Sequence, residues 1–158
     1  MDWLDEILNN YERKKAEERK SAAEEQKRQD EESTRKRRLA TEALGRAHNK
    51  FQEVKKKLVD HKYPCEVILV PPTANKAEQE LTLLVKNGPL WGKETISKLN
   101  ASSVVLTVNL ESNGISVITK YEQNQGEAPV ITDIKIDLLT DDLIDTIIKK
   151  FINQIFGN

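Results

Sequence analysis

Three side chains in this 158-residue chain are suited to nucleophilic or metal chemistry: His48, His61 and Cys65. His61 and Cys65 stand four apart, a spacing that would share one face of a helix. Pro64 lies between them and breaks such a face. A closed zinc site takes four ligands, and a Cys–His couple needs the imidazole against the thiol. The acidic group Asp141, Asp142 and Asp145 is explained by a helix start, where carboxylates suit the positive end of the dipole. Residues 88–92, GPLWG, have neither phosphate-loop nor dinucleotide-binding spacing. No catalytic constellation emerges, and the expectation is a non-enzymatic protein with no cofactor and no metal.

Two other groups could bind macromolecules. Trp3, Leu4, Ile7, Leu8 and Tyr11 fall on one helical face and form a sticky end for a protein partner or a second copy. Trp91, held between Gly88-Pro89 and Gly92, is either a displayed recognition residue or a plug under the sheet edge. A pocket near Trp91 would support a small ligand-binding or hydrolytic domain, one alternative function. Arg35, Lys36, Arg37 and Arg38, with Lys55, Lys56 and Lys57, could meet phosphates and support a second alternative, nucleic-acid association. Consecutive positions spread charge around a helix, however, and Glu31, Glu32 and Glu42 partly neutralise it.

Composition argues the same way. Charged residues make up 32 % and hydrophobic residues 37 % of the chain, with a net charge of −1. Residues 1–62 carry 17 basic and 14 acidic side chains, and the remainder is net acidic. There is no basic excess of the kind that nucleic-acid binding favours. A single cysteine builds no disulfide framework. No apolar run approaches a membrane span, and the acidic start MDWLDEILNN is unlike a signal peptide. The expectation is a cytoplasmic protein whose partner is another protein or itself, as a dimer, with nucleic acid disfavoured and no membrane.

The elements that would carry these groups are an unusually long helix, a sheet and a final helix. Residues 2–62 contain no proline and one glycine, Gly45. A helix of that length would extend about 90 Å. Residues 12–38 hold no large apolar side chain. Helix formers and the pairs Glu24–Arg28, Glu31–Arg35 and Glu32–Lys36 favour a solvated helix there over disorder. From Leu39 to Val59 a seam appears: Leu44, Phe51 and Leu58 repeat every seven residues, with Ala40, Ala47 and Val54 interleaved. It would pack on the sheet or on a second copy as a short coiled coil.

Tyr63-Pro64 should end the helix. Glu66–Val70 reads as a central strand because it is apolar on both faces, with Pro71-Pro72 stopping it. Glu80–Lys86, Ser103–Leu110, Ile115–Tyr121 and Val130–Leu138 alternate, with turns at Asn113-Gly114 and Asn124-Gln125-Gly126. Val130, Ile134, Ile136 and Leu138 are expected to point inward. Glu94–Leu99 is expected to form a short helical turn. Thr140 caps an amphipathic helix to Phe156, stapled by Leu139 and Ile144 and stopped by Gly157. The predicted architecture is α+β: a charged helix over 1–38 with an apolar end, then a domain over 39–158. That domain comprises helix 39–62, an antiparallel meander of about five strands over 66–138 and helix 140–156 packed on the sheet.

Overall fold

The computed structural model describes residues 2–71, 78–109, 114–124 and 127–157. The chain is α+β: helix α1 (Asp2–Asp60), strands β1 (Cys65–Val70), β2 (Glu78–Val85), β3 (Ser102–Asn109), β4 (Gly114–Lys120) and β5 (Val130–Lys135), then helix α2 (Asp141–Phe156). It divides into two units, Met1–Arg37 and Arg38–Asn158. The first unit is helical and highly charged. Lys36 pairs with Glu32 as the spacing predicts, but Arg28 pairs with Glu25 rather than Glu24. Asp2 and Asp5 lie in its first turn, where their carboxylates suit the positive end of the helix dipole.

The second unit is built on a five-stranded antiparallel sheet in sequential order, β1-β2-β3-β4-β5. The register places Leu81, Leu106 and Val117 side by side, and Leu83 next to Val104. Period-two alternation therefore aims Leu81, Leu83, Val85, Val104, Leu106, Val108, Ile115 and Val117 at one face, where all are buried. Two helices cover that face. From α1 come Ala40, Ala43, Leu44, Ala47 and Phe51; from α2 come Ile144, Ile148, Phe151 and Ile155. The seam read from the sequence is thus the domain's own core contact, with Val54 and Leu58 packed at its margin. Three alanines on the buried face of α1 let its backbone lie close to the sheet.

The two covering helices run parallel, because their contacts advance together. Arg46 meets Asp141 at 3.6 Å and donates to the Leu139 carbonyl at 3.1 Å. Lys50 meets Asp145 at 2.8 Å, and Tyr63 lies edge-on to Phe156 at 4.8 Å between ring centroids. Parallel helix dipoles repel, and these cation–carboxylate pairs at the N-terminal end of α2 oppose that repulsion.

The helix ends follow local chemistry. The α1 carbonyls are closed by a Schellman arrangement: Tyr63 N–H donates to Leu58 at 2.8 Å and Lys62 N–H to Val59 at 2.9 Å. Lys62 takes the left-handed position, φ 67°, that glycine usually fills. The Thr140 hydroxyl accepts from Leu143 N–H at 3.3 Å, as a capping residue does. Leu139 and Ile144, the expected staple, are both buried in the core.

Three expectations are corrected. Glu66–Val70 is not central: β1 is an edge strand, with Ile68, Leu69 and Val70 exposed. Its two-sided apolar character reflects an uncovered edge rather than a double burial. The last strand stops at Lys135, and Ile136–Leu138 turns into a 3-10 helix. That turn buries Ile136 but leaves Leu138 exposed, and Val130 is exposed at the strand's start. Glu94–Leu99 forms no helical turn; the segment is held by turns closed from Glu94 N–H to Trp91 and Asn100 N–H to Ser97. On the second sheet face Thr82, Leu84, Ser103 and Val105 are also buried. Pro72, Leu110, Asn113, Gln125 and Gly126, named above for turns and a strand end, lie outside the described residues.

Candidate functional site

An amphipathic helix earns its stability by burying its apolar stripe. The N-terminal stripe of α1 does the opposite. Trp3, Ile7 and Tyr11 are 60, 56 and 55 % exposed, and Leu4 and Leu8 are exposed beside them. At 100° per residue the five side chains occupy an arc of roughly 140°, a width suited to a groove. Asp5 and Glu6 flank the arc on either side, and Lys15 lies over the Tyr11 ring with its ammonium 5.0 Å from the centroid. Burying these side chains against a partner is worth about 1.5–3 kcal/mol for each one fully covered.

Trp91 is a second displayed aromatic. It does not plug the core, for it is 75 % exposed. Gly92 has φ 58° and Gly88 φ 146°, backbone that a side chain would strain. The loop carrying Trp91 is anchored by Asn100, whose amide donates to Glu94 and to the Thr95 carbonyl, both at 2.8 Å, and whose oxygen accepts from Ser97 N–H at 2.8 Å. Lys98 ties the loop to Glu80 on β2 at 3.1 Å. The tryptophan is therefore held out by a built turn.

The basic run divides. Lys36 is partly covered and pairs with Glu32 at 3.5 Å, while Arg35, Arg37 and Arg38 are exposed with no carboxylate partner among the described residues. Arg35 and Arg38 project within about 60° of each other, but Arg37 points about 100° or more away from both, which makes no single stripe of the three. Lys55 has a structural engagement: its ammonium meets Glu66 at 2.9 Å.

The residues with chemical potential are not assembled. Cys65 is buried at the start of β1, and desolvation pushes its thiol up to about 12. A thiol held protonated is a poor nucleophile and a poor ligand. His61 is exposed beyond the end of α1, and His48 shares a ring-nitrogen contact with Gln52. Among the described residues no group of three or more His, Cys, Asp or Glu is placed to hold a metal ion. Nor is any helix among them long and apolar enough to cross a membrane.

The clefts of the second unit include one on each face of the sheet. One, of about 280 Å³, lies between β4–β5 and α2, walled by Val117, Tyr121, Ile134, Leu143, Ile147 and Phe151. Burial raises the Tyr121 phenol, and its ring stacks on Phe151 at 5.9 Å. The other, of about 540 Å³, lies on the opposite sheet face over Val105 and Ile118, with Lys98 and Lys120 at its rim. Trp91 is in the wall of neither.

Two features escaped the sequence reading. Lys86 is buried at the end of β2, with its ammonium 2.9 Å from both the Asn100 carbonyl and Glu122. Glu66 does more than pair with Lys55; it also accepts from Val67 N–H at 3.1 Å. A lone acid in an otherwise apolar strand, bracketed by Pro64 and Pro71, was the signal available for the second. No protein-family model matches the chain, and no curated protein and no solved structure matches it.

Proposed function

We propose that this chain is a non-enzymatic interaction protein that uses the N-terminal part of α1 to assemble with a second copy or to dock another protein. The observation that carries this reading is the uncovered stripe Trp3, Leu4, Ile7, Leu8 and Tyr11, five large apolar side chains on one helical face. The folded unit gives a reason for the division of labour, since among the described residues its buried core cluster begins at Ala40. Exposed apolar patches of this kind mark interaction surfaces. Trp91 is a secondary contact in the same reading.

Self-association is the form tested first. Light scattering across a hundredfold concentration range should show a mass that rises with concentration for the natural chain. Replacing Leu4 and Ile7 with Glu should abolish the rise and leave the circular dichroism melt of the folded unit in place. A constant monomer mass for the natural chain removes the self-assembly form.

The three unpaired guanidiniums Arg35, Arg37 and Arg38 favour a second reading, association with nucleic acid. It requires retention on DNA or RNA at about 50 mM salt, weakened when all three become Gln. Absence of retention there rejects it.

A further inference from the structure

We infer that β1 is a latent pairing edge for a second copy of this chain, and that the Glu66 carboxylate holds it shut. This inference is independent of the N-terminal stripe. Among the described residues, strand β1 is the outermost of the sheet and pairs with β2 alone. Which of its backbone groups face outward follows from one bond. Lys86 N–H donates to the Pro64 carbonyl at 3.0 Å, and the register pairs Cys65 with Val85. In an antiparallel ladder the backbone groups of alternate residues face the partner. The even residues Glu66, Ile68 and Val70 therefore bond towards β2, and the odd residues Cys65, Val67 and Leu69 turn their N–H and C=O groups to the open side.

An open row on an apolar strand invites another strand. Ile68, Leu69 and Val70 are exposed, and Glu66 is the strand's sole charge. Pro64 and Pro71 delimit the segment at either end. The strand is also complementary to itself. An antiparallel pairing about Val67 sets Val67 against Val67, Cys65 against Leu69 and Glu66 against Ile68 of the second copy. No two like charges meet directly, and the outward donors and acceptors match.

The centre of that pairing is occupied. Val67 N–H, the donor at the two-fold position, is taken by Glu66 at 3.1 Å. The same carboxylate oxygen accepts from Lys55 at 2.9 Å. Lys55 comes from α1 on the core side of the sheet, and Glu66 belongs to the opposite face by strand alternation. The ion pair thus reaches across the open edge. A second strand cannot bond to Val67 until the carboxylate moves away.

Hydrogen exchange and light scattering test this on the full chain carrying Leu4→Glu and Ile7→Glu, which removes association through the stripe. With Glu66 in place, Val67 N–H should exchange at least tenfold more slowly than Leu69 N–H, although both face outward. Glu66→Thr should double the mass and slow Leu69 exchange. Adding Leu69→Pro, which deletes an outward donor without touching the ladder to β2, should return the mass to that of the monomer. Equal exchange of Val67 and Leu69 in the parent overturns the assignment, and that measurement stands even where a variant folds poorly. A monomeric, folded Glu66→Thr chain, or a dimer that survives Leu69→Pro, overturns it as well.

Discussion

At the scale of single residues, the structure assigns conformational and electrostatic work to positions that look ordinary in the sequence. Lys62 closes α1 from a left-handed conformation, φ 67°. That conformation costs a non-glycine residue about 1–2 kcal/mol, offset by roughly 0.5–1 kcal/mol of extra chain entropy when glycine takes its place. Lys62→Gly should therefore raise stability by about 0.5–1 kcal/mol in urea unfolding, and Lys62→Val should lower it. Glu66 is held below the ordinary glutamate range, first by the hydrogen bond from Lys55 and then by Val67 N–H, against the opposing effect of burial. A depressed carboxylate binds protons more readily in the unfolded chain. Its contribution is present above about pH 4.3 and is lost as pH falls through the lower folded value. Glu66→Gln should flatten that part of the acid limb, measured by thermal melts between pH 2 and pH 6. Lys50 works in the other direction. Its hydrogen bond to Asp145 raises it, so its contribution persists through neutral pH and fades only in strong base. The buried Lys86 ammonium depends on Glu122, whose side chain is about a third exposed at 35 %. Glu122→Ala should cost about 1–3 kcal/mol, read as a fall in the urea midpoint with an unchanged slope.

At the scale of elements, legibility follows periodicity. The second half of α1 was readable because Leu44, Phe51 and Leu58 repeat with Ala40, Ala47 and Val54 between them. The structure buries the first two of each set fully. Helix α2 was readable from its four-residue apolar repeat and its Thr140 cap. Strands β2, β3 and β4 were readable from alternation, which survives wherever one face is buried. The misreadings share another cause. A run that is apolar on both faces occurs both in buried central strands and in exposed edges, so composition does not distinguish an edge such as β1 from a centre. The turn at Ile136–Leu138 preserves the spacing of apolar residues while changing the direction of the chain, so alternation alone does not mark the end of β5 at Lys135. The alanine face of α1 gives the sharpest test at this scale. Ala47 is fully buried between helix and sheet. Ala47→Leu adds three carbons where no space is provided and should cost about 1–3 kcal/mol, despite a rise in local hydrophobicity. Phe51→Ala should cost about 3–5 kcal/mol through the cavity it leaves. Both are measured as shifts in the unfolding midpoint.

At the scale of the molecule, a helix of 59 residues serves two different ends without a break in its backbone. Its second half is bound by burial, and its first carries helix formers and charge pairs. Propensity terms of a few tenths of a kcal/mol per residue are weaker and more local than core packing. The two units should therefore differ in how they melt. The candidate interaction surface was legible because apolar spacing on a charged helix is a pattern in one dimension. The β1 edge was not, because its outward groups are defined only once the register with β2 is known. Every residue of the core cluster lies at position 40 or later. A fragment comprising residues 38–158 should consequently keep the cooperative unfolding transition of the full chain, with a midpoint within a few degrees. The full chain should show, in addition, a gradual loss of helical ellipticity below that transition, since a solvated helix lacks the cooperativity of a packed core. Differential scanning calorimetry and far-ultraviolet circular dichroism on the two chains make the comparison. A fragment that fails to fold, or a full chain that loses all of its helix in the single sharp transition, would show that residues 2–37 contribute to the folded unit rather than standing on their own stability.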